Sequence, residues 1–484
     1  MVYSEDYKKL VDATALKDKY YEIDERVEEI CKEAFKGCDK LEEIVMPKKL
    51  KKIDSEAFQG CSSLTKLTLP SRVASIGRWA FYGCSGLTEL TLPDTLECIE
   101  AFAFCGCSGL TELTLPDTLE CIEASAFCGC SGLTELTLPN RVRIIEVSAF
   151  EGCSGLTELT LPNSVVRIDG LAFGGCSGLE KITVESGNSR YDSRDNCNSI
   201  IDKKTNTLIA GCKNSVIPNG VTSIGDSAFG WCSELTELVL PNSVTSIVES
   251  AFAYCSGLEK ITVESGNSRY DSRDNCNSII ETATNTLIAG CKNSVIPNSV
   301  TSIGDSAFEG CTGLTELTLP KSVKSIGDGA FAYCSGLTEL TLPNSVKSIG
   351  RYAFQGCSGL TELTLPNSVK SIGDRAFAYC SGLTELTLPN SVTSIGNCAF
   401  GGCSGLTELT LPNSITSIGD YAFAYCSDLS KITSLAEIPP MCGFKVFNGV
   451  NKTNCELIVP EGSVAAYTRA EDWNKFSNIR GFSK

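Results

Sequence analysis

Residues 331–353 read FAYCSGLTELTLPNSVKSIGRYA, and nearly the same 23 residues return as FQGCSGLTELTLPNSVKSIGDRA at 354–376 and FAYCSGLTELTLPNSVTSIGNCA at 377–399. Self-similarity at a fixed period of roughly 20 to 50 residues is typical of a solenoid, in which stacked coils bury one continuous core. Fifteen phenylalanines carry the period, each preceded by alanine and followed three residues later by cysteine. These anchors are Phe35, Phe58, Phe81, Phe104, Phe127, Phe150, Phe173, Phe229, Phe252, Phe308, Phe331, Phe354, Phe377, Phe400 and Phe423.

The apolar positions within one coil are equally regular. Leu340 and Leu342 alternate with polar residues in segment 337–343, which predicts a short strand with one buried face, ended by a turn after its proline. Val346 and Ile349 are expected to point inward from the opposite side of the coil. We expect Gly350 to supply a positive φ, and segment 351–356 to form one helical turn.

Two anchor intervals, Phe173 to Phe229 and Phe252 to Phe308, are longer than 23 residues and hold near-identical insertions at about 185–213 and 264–292. In the first, alternation predicts a strand at 182–184 and then a hairpin of strands 199–202 and 207–210. We expect each insertion to project from one side of the stack without interrupting it.

The pattern fades at both ends of the chain. Residues 1–19 are predicted to form a helical or irregular N-terminal cap, residues 20–434 the solenoid, and residues 435–484 a C-terminal cap. In the C-terminal cap we expect a strand at 457–459, a short helix after Pro460, and Trp473, Phe476 and Ile479 lying over the last coil.

Composition excludes several classes of function. The formal net charge of −17 argues against nucleic acid and anionic lipid as partners. The absence of histidine removes the commonest general base, and no nucleotide-binding or hydrolase motif occurs, so neither an enzyme nor a cofactor is predicted. No apolar run reaches membrane-spanning length, and no signal peptide is visible.

The coil closely resembles the BspA-type leucine-rich repeat, also called the Treponema pallidum type. Its pattern, LxxLxLPxxVxxIgxxAFxxCxx, is matched from Leu337 through Cys357. The insertion sequence SRYDSRDNCNSII and the ending that starts VPEGSVAAY at Val459 also resemble that family, so the likeness covers about 20–482. It implies a β-rich α/β fold: a right-handed solenoid with a parallel concave sheet.

The same resemblance implies a non-enzymatic protein-binding scaffold. The family is similar to cell-surface adhesins of anaerobic bacteria and some protists, which bind host matrix or cell-surface proteins. A cell-surface or secreted location follows by resemblance. The alternative is an intracellular structural or assembly subunit, favoured by the missing signal peptide and by 27 cysteines.

A ladder of carboxylates is the first candidate partner-binding surface, because one strand position carries glutamate in coil after coil. Like charges stacked at the spacing of parallel strands repel, so a basic partner or a cation such as calcium would relieve the cost, unless the side chains simply spread into water. The positions are Glu89, Glu112, Glu135, Glu158, Glu316, Glu339, Glu362, Glu385 and Glu408.

An aromatic stripe is the second candidate surface. Two residues after the anchor phenylalanine, most coils have glycine, but five have a large aromatic residue: Trp231, Tyr254, Tyr333, Tyr379 and Tyr425. Exposed tyrosine and tryptophan are common interface hot spots, whereas the alternative role is to shield the neighbouring coil. The charged insertion loops around Tyr191 and Tyr270 carry the same ambiguity between binding and structure.

The ladder cysteines that follow the anchors are predicted to be buried, free thiols that act as small hydrophobes. Cys98 with Cys121, and Cys105 with Cys128, are additional equivalents one coil apart and are the better disulfide candidates. A zinc site formed by Cys105, Cys107, Cys128 and Cys130 is disfavoured, because two of these four side chains should point into the core.

Overall fold

Two rows of short parallel strands run through the chain in the computed structural model, which describes residues 1–483. The chain forms two compact units, residues 1–235 with 246–251, and residues 236–245 with 252–484. Each unit consists of stacked 23-residue coils whose equivalent residues pair in register. Glu339 lies beside Glu362, for example, and Ser325 beside Ser348. The predicted solenoid with parallel sheets is therefore confirmed.

The first ladder contains the strands that carry the glutamates. In the first unit its strands are Tyr20–Glu22, Glu43–Val45, Lys66–Thr68, Glu89–Thr91, Glu112–Thr114, Glu158–Leu161 and Lys181–Val184. In the second unit they are Glu237–Leu240, Lys260–Val263, Glu339–Thr341, Glu362–Thr364, Glu385–Thr387, Glu408–Leu411, Lys431–Ser434, Glu456–Pro460 and Asn478–Phe482.

Apart from the four-residue Lys9–Asp12, the second ladder is built from two-residue strands, most of them Ser-Ile. The repeat pattern placed these residues on the opposite wall without predicting strands. The first unit has Lys9–Asp12, Glu29–Ile30, Lys52–Ile53, Ser75–Ile76, Cys98–Ile99, Cys121–Ile122, Ile144–Ile145, Arg167–Ile168, Ser223–Ile224 and Ser246–Ile247. The second has Ser302–Ile303, Ser325–Ile326, Ser348–Ile349, Ser371–Ile372, Ser394–Ile395, Ser417–Ile418 and Met441–Cys442.

The core of each unit lies between these ladders and is filled by repeated side chains. In the first unit the anchor rings from Phe35 to Phe173 stack with centroids 4.8 to 5.6 Å apart. In the second unit the rings from Phe308 to Phe423 stack at 5.1 to 5.5 Å. The ring spacing follows the coil rise, because each phenylalanine occupies the same position of its coil.

Two predictions about the backbone of the coil are wrong. Gly350 does not have a positive φ; it is needed because a Cβ there would lie 2.5 Å from the carbonyl carbon of Gly327 in the preceding coil. Segment 351–356 is a turn rather than a helical turn, since Tyr352 and Gly356 both have positive φ, at 57° and 71°.

The insertions form the predicted hairpins but do not project from the stack. In the first, Tyr191–Asp192, Ile200–Asp202 and Thr207–Ala210 pair antiparallel, and Thr207–Ala210 also pairs in parallel with Ser223–Ile224. The hairpin thus extends the second ladder. In this position Ile201 and Leu208 are completely buried, and removing such apolar side chains from water is favourable. The second insertion repeats this with strands Tyr270–Asp271, Ser278–Glu281 and Thr286–Gly290.

The two ends differ in how well the sequence predicted them. Residues 1–19 are not helical: Val2–Tyr3 pairs antiparallel with Lys9–Asp12, which joins the second ladder through Glu29–Ile30. At the other end the strand Glu456–Pro460 and the helix Val464–Tyr467 are confirmed. The remaining helical segments are 3-10 turns at Arg194–Asn196, Arg273–Asn275, Glu461–Ser463 and Trp473–Lys475.

The predicted aromatic lid is also present at the C-terminal end. Trp473 is fully buried, and its indole Nε1 donates a hydrogen bond to the Pro440 carbonyl at 2.9 Å. Its ring centroid lies 5.3 Å from that of Phe447, which continues the anchor stack. The indole therefore closes the apolar end of the last coil.

Candidate functional site

The nine predicted glutamates, named here the Glu face, are all exposed on the first ladder. Alternation along the chain turns each carboxylate outward and buries the leucine beside it, except for the half-buried Leu317 beside Glu316. Pairing places these carboxylates in register on neighbouring strands, as in Glu89 with Glu112 and Glu385 with Glu408. The structure therefore brings together the carboxylates that the sequence predicted to be stacked.

Lysines neutralise the Glu face only at its margins. Lys66 pairs with Glu89 at 2.6 Å and Lys181 with Glu158 at 3.2 Å in the first unit. In the second unit Lys431 pairs with Glu408 at 2.9 Å. The other six members have no ion-pair partner within residues 1–483: Glu112, Glu135, Glu316, Glu339, Glu362 and Glu385. Each unit therefore carries a run of carboxylates that no cationic side chain among the described residues compensates.

Strand pairing is weakest inside these uncompensated runs. The coil of Glu135 contributes only isolated bridges through Thr137 to the first ladder, and the coil of Glu316 contributes no strand to that ladder within the described residues. Like charges directly opposite each other on paired strands are destabilising, and the gaps lie where such charges adjoin.

Two shallow depressions lie on the Glu face of the first unit. One, of about 510 Å³, is lined by Glu112, Asp117 and Glu135 together with threonines. The other, of about 520 Å³, is lined by Glu135, Glu158 and Glu185. Within residues 1–483, no three acidic or cysteine side chains converge in an arrangement that could hold a metal ion. The depressions are acidic, open to solvent and suited to positively charged side chains.

The aromatic stripe has an unexpected backbone conformation. Trp231, Tyr254, Tyr333, Tyr379 and Tyr425 all have φ between 59° and 61°. In most other coils glycine holds this position with the same sign of φ, and a bulky residue there is strained. Tyr379 and Tyr425 are nonetheless 61% and 62% exposed.

Each of the four tyrosine rings also covers a glycine of the next coil, whereas Trp231 is followed at that position by Tyr254. A Cβ on Gly356 would lie 2.6 Å from the ring of Tyr333, and one on Gly402 would lie 2.6 Å from the ring of Tyr379. The Tyr333 hydroxyl accepts a hydrogen bond from Gln355 Nε2 at 2.6 Å. The rings therefore shield the neighbouring coil on one side and leave the rest of their surface to solvent.

The ladder cysteines are free thiols, and nearly all of them are buried. Most of their thiols donate to the anchor carbonyl of the preceding coil, as Cys357 does to Phe331 at 3.2 Å. Burial raises the pKa of the Cys357 thiol to about 12, which keeps it protonated. The repeat pattern predicted their burial but not this hydrogen bond.

The additional cysteine pairs are brought together as expected. Cys98 and Cys121 are register partners on adjacent strands of the second ladder. Cys105 and Cys128 occupy equivalent turns of the same two coils, where Gly106 N–H donates a hydrogen bond to the Cys128 carbonyl at 2.7 Å. All four are free and partly exposed, whereas Cys107 and Cys130 are buried.

The insertion loops use their charged residues internally. Tyr191 is buried, and its hydroxyl accepts the backbone N–H of Ile168 at 3.0 Å. Arg190 pairs with Asp202 at 2.6 Å, and Arg194 with Asp192 at 3.0 Å. These contacts hold the hairpin to its own unit and leave few polar groups of the loop for a partner.

Three exposed apolar residues near the C-terminus were not predicted from the sequence. Ile438, Met441 and Phe444 are 81%, 73% and 58% exposed. Met441 occupies the position at which many coils of the second ladder have serine. This departure from the repeat could have predicted an exposed apolar side chain there.

The comparisons with known proteins agree with this architecture. The family model described as BspA type leucine rich repeat region matches residues 15–108, 75–201, 199–287, 278–403 and 370–453. No curated protein sequence gives a significant match. Within residues 1–483 no helix has both the length and the apolar character needed to cross a bilayer.

Several solved structures are similar. A leucine-rich repeat protein from Eubacterium ventriosum is 24% identical over 66% of this chain and 83% of that chain, with a TM-score of 0.50, which shows the same fold. One from Bacteroides ovatus is 27% identical, covering 84% and 82%, with a TM-score of 0.39. A leucine rich cell surface protein from Faecalibacterium prausnitzii is 25% identical, covering 80% and 83%, with a TM-score of 0.40.

Proposed function

This chain belongs to the BspA type leucine rich repeat family, and we propose that it is a non-enzymatic scaffold whose Glu face binds a basic segment of a protein partner. One observation carries the proposal: rows of exposed carboxylates in which, among residues 1–483, lysines neutralise only Glu89, Glu158 and Glu408. A lysine- or arginine-rich segment laid across these strands would remove like-charge repulsion at several coils together.

The mechanism is the addition of many weak contacts along a repeated surface. Exposed ion pairs contribute about 0 to 1 kcal/mol each, so useful affinity requires several coils to act together. The aromatic stripe supplies a second contact surface in which tyrosine rings are already ordered by the glycine beneath them. Ordered rings lose little side-chain entropy on binding, which suits them as hot spots.

The biological setting we propose is adhesion at the cell surface or after secretion, with a host matrix or cell-surface protein as the partner. The support for this setting is the family resemblance of the repeat, the insertions and the C-terminal ending. Cell fractionation of the native organism tests it. Recovery of the protein in a large cytosolic particle would favour the alternative, an intracellular assembly subunit.

Charge reversal tests the Glu face directly. A triple variant, Glu339→Lys, Glu362→Lys and Glu385→Lys, is compared with the unmodified chain for binding to immobilised matrix proteins and to an oligolysine peptide. We expect binding to fall at least tenfold and the binding of the unmodified chain to weaken as salt rises. Unchanged binding of every partner by the triple variant would overturn the proposal.

A matched control separates the local effect from the change in net charge. Glu5, Asp18 and Glu25 are exposed acids outside the Glu face, so their replacement by lysine alters the total charge equally. We expect this control triple variant to retain most of its binding. A loss equal to that of the Glu-face variant would mean that net charge alone governs binding.

A further inference from the structure

Four of the twelve cysteines outside the ladder form two pairs in the same two neighbouring coils of the first unit. At the position of Cys98 and Cys121 the flanking coils carry Ser75 and Ile144. At the position of Cys105 and Cys128 they carry Tyr82 and Glu151. Each of these four cysteines therefore has an equivalent cysteine in one adjacent coil and none in the adjacent coil on the other side.

Backbone hydrogen bonds hold Cys105 beside Cys128. Phe104 N–H donates to the Ala126 carbonyl at 2.8 Å, and Gly106 N–H donates to the Cys128 carbonyl at 2.7 Å. Equivalent residues of stacked coils lie about 4.8 Å apart, within the Cα range of roughly 4.4 to 6.8 Å that a disulfide spans. A bond between the two sulfurs therefore needs little movement of the backbone.

The two thiols of this pair differ in acidity. The proximity of Cys105 lowers the pKa of Cys128, while the proximity of Cys128, together with burial, raises the pKa of Cys105. Both are partly exposed, so a small oxidant can reach them. The buried neighbours Cys107 and Cys130 instead donate to the carbonyls of Phe81 and Phe104.

We propose that Cys105 and Cys128 are a thiol–disulfide modification site, which a small-molecule disulfide such as oxidised glutathione closes into a Cys105–Cys128 bond. The Cys128 thiolate attacks one sulfur of the oxidant, whose S–S bond breaks and releases one glutathione thiolate. Cys105 then gives its proton to that thiolate and attacks the Cys128 sulfur, releasing the second glutathione. Two protein thiols are oxidised, and one glutathione disulfide is reduced to two glutathione molecules.

Cys98 and Cys121 provide a comparison pair within the same coils. Burial, together with the neighbouring Cys121 and Glu123, raises the pKa of Cys98, whose Sγ lies 3.7 Å from a Glu123 carboxylate oxygen. Burial also raises the pKa of Cys121. Because the attacking species is the thiolate, this pair reacts more slowly than Cys105 with Cys128.

The test follows oxidation of the reduced full-length chain by glutathione disulfide at neutral pH, with samples alkylated and then cleaved after glutamate. The sequence places Cys105 in peptide 101–112, Cys128 in peptide 124–135, and Cys98 and Cys121 in peptides 98–100 and 121–123. We expect the link between 101–112 and 124–135 to form first, with fragment ions locating it at Cys105 and Cys128. Earlier linkage of Cys98 to Cys121, or a bond at Cys107 or Cys130, would overturn the proposal.

Two single variants add independent readouts. Cys105→Ser removes the resolving thiol, so glutathione should remain on Cys128 as a mixed disulfide. Cys121→Ser is the matched control and should leave the rate of Cys105–Cys128 closure unchanged, with circular dichroism confirming that each variant is folded. Lasting glutathione on Cys128 in the unmodified chain would contradict the proposal, because Cys105 would then not resolve it.

Discussion

The thiol of Cys357 donates a hydrogen bond to the backbone carbonyl of Phe331, one coil earlier, over 3.2 Å. The same carbonyl also accepts the backbone N–H of Cys334 at 3.2 Å. The relationship recurs between Cys334 and Phe308 and between Cys380 and Phe354. Cysteine at this position therefore fills core space and links each coil to the one before it.

We predict that Cys357→Ala lowers the free energy of unfolding by about 1 to 2 kcal/mol, because it removes a buried donor and leaves a small cavity. Cys357→Ser should lose less, since its hydroxyl keeps a donor at the same place. The measurement is the urea midpoint by circular dichroism. Cys398→Ala is the control: Cys398 is only partly buried, and we expect a change under about 0.5 kcal/mol. Equal losses in Cys357→Ala and Cys398→Ala would contradict the role of the hydrogen bond.

The ladder thiols should also make the fold sensitive to alkaline pH. Burial raises the pKa of Cys357 from 9.0 to about 12, and that of Cys426 likewise to about 12. Between these values the unfolded chain releases protons that the folded chain retains, so stability must fall as pH rises from 9 to 12. We expect the urea midpoint to decrease across this window, and to decrease less in Cys357→Ser, whose hydroxyl does not ionise there. A steeper decrease in that variant would refute the assignment.

Gly350→Ala should be strongly destabilising, although the backbone of Gly350 is not in the left-handed region. Its Cβ would lie 2.5 Å from the Gly327 carbonyl carbon and 2.6 Å from Asp328 Oδ1. Forcing the coils apart costs roughly 1 to 3 kcal/mol, read as a lower thermal midpoint. Gly462→Ala is the control, because nothing lies within 4 Å of a Cβ there. If both variants melted alike, the close approach of the coils would not explain the glycine.

At Tyr379 we predict that glycine is better tolerated than alanine. The φ of Tyr379 is 60°, a conformation that glycine adopts freely and alanine does not. Tyr379→Gly should therefore exceed Tyr379→Ala in unfolding free energy by about 1 kcal/mol. Thr384 is an exposed residue of the same coil whose φ is not positive. There the alanine variant should have the higher unfolding free energy and the glycine variant the lower. The same order at both positions would argue against backbone strain at Tyr379.

Much of this architecture could be predicted from the repeat alone. The alternation of Leu340 and Leu342 with polar residues predicted the strands of the first ladder. The spacing of the anchor phenylalanines predicted the stacking of the coils. Together these two patterns predicted the row of glutamates. The apolar end of the chain predicted Trp473 as a lid. These features follow from the sequence because a fixed period places equivalent side chains beside each other, whatever the detailed path of the backbone.

The remaining features depended on contacts between coils, which a single coil does not reveal. Only the tertiary structure shows that Gly350 is required by the carbonyl of Gly327, that Tyr379 holds a left-handed backbone, and that the insertions join the second ladder. The same is true of the Cys357 thiol and of lysines neutralising only the margins of the Glu face. The sequence by itself determined which residues stack. The tertiary structure decided what each stacked residue touches, because hydrogen bonds and steric limits act over a few ångströms between chain segments far apart in sequence.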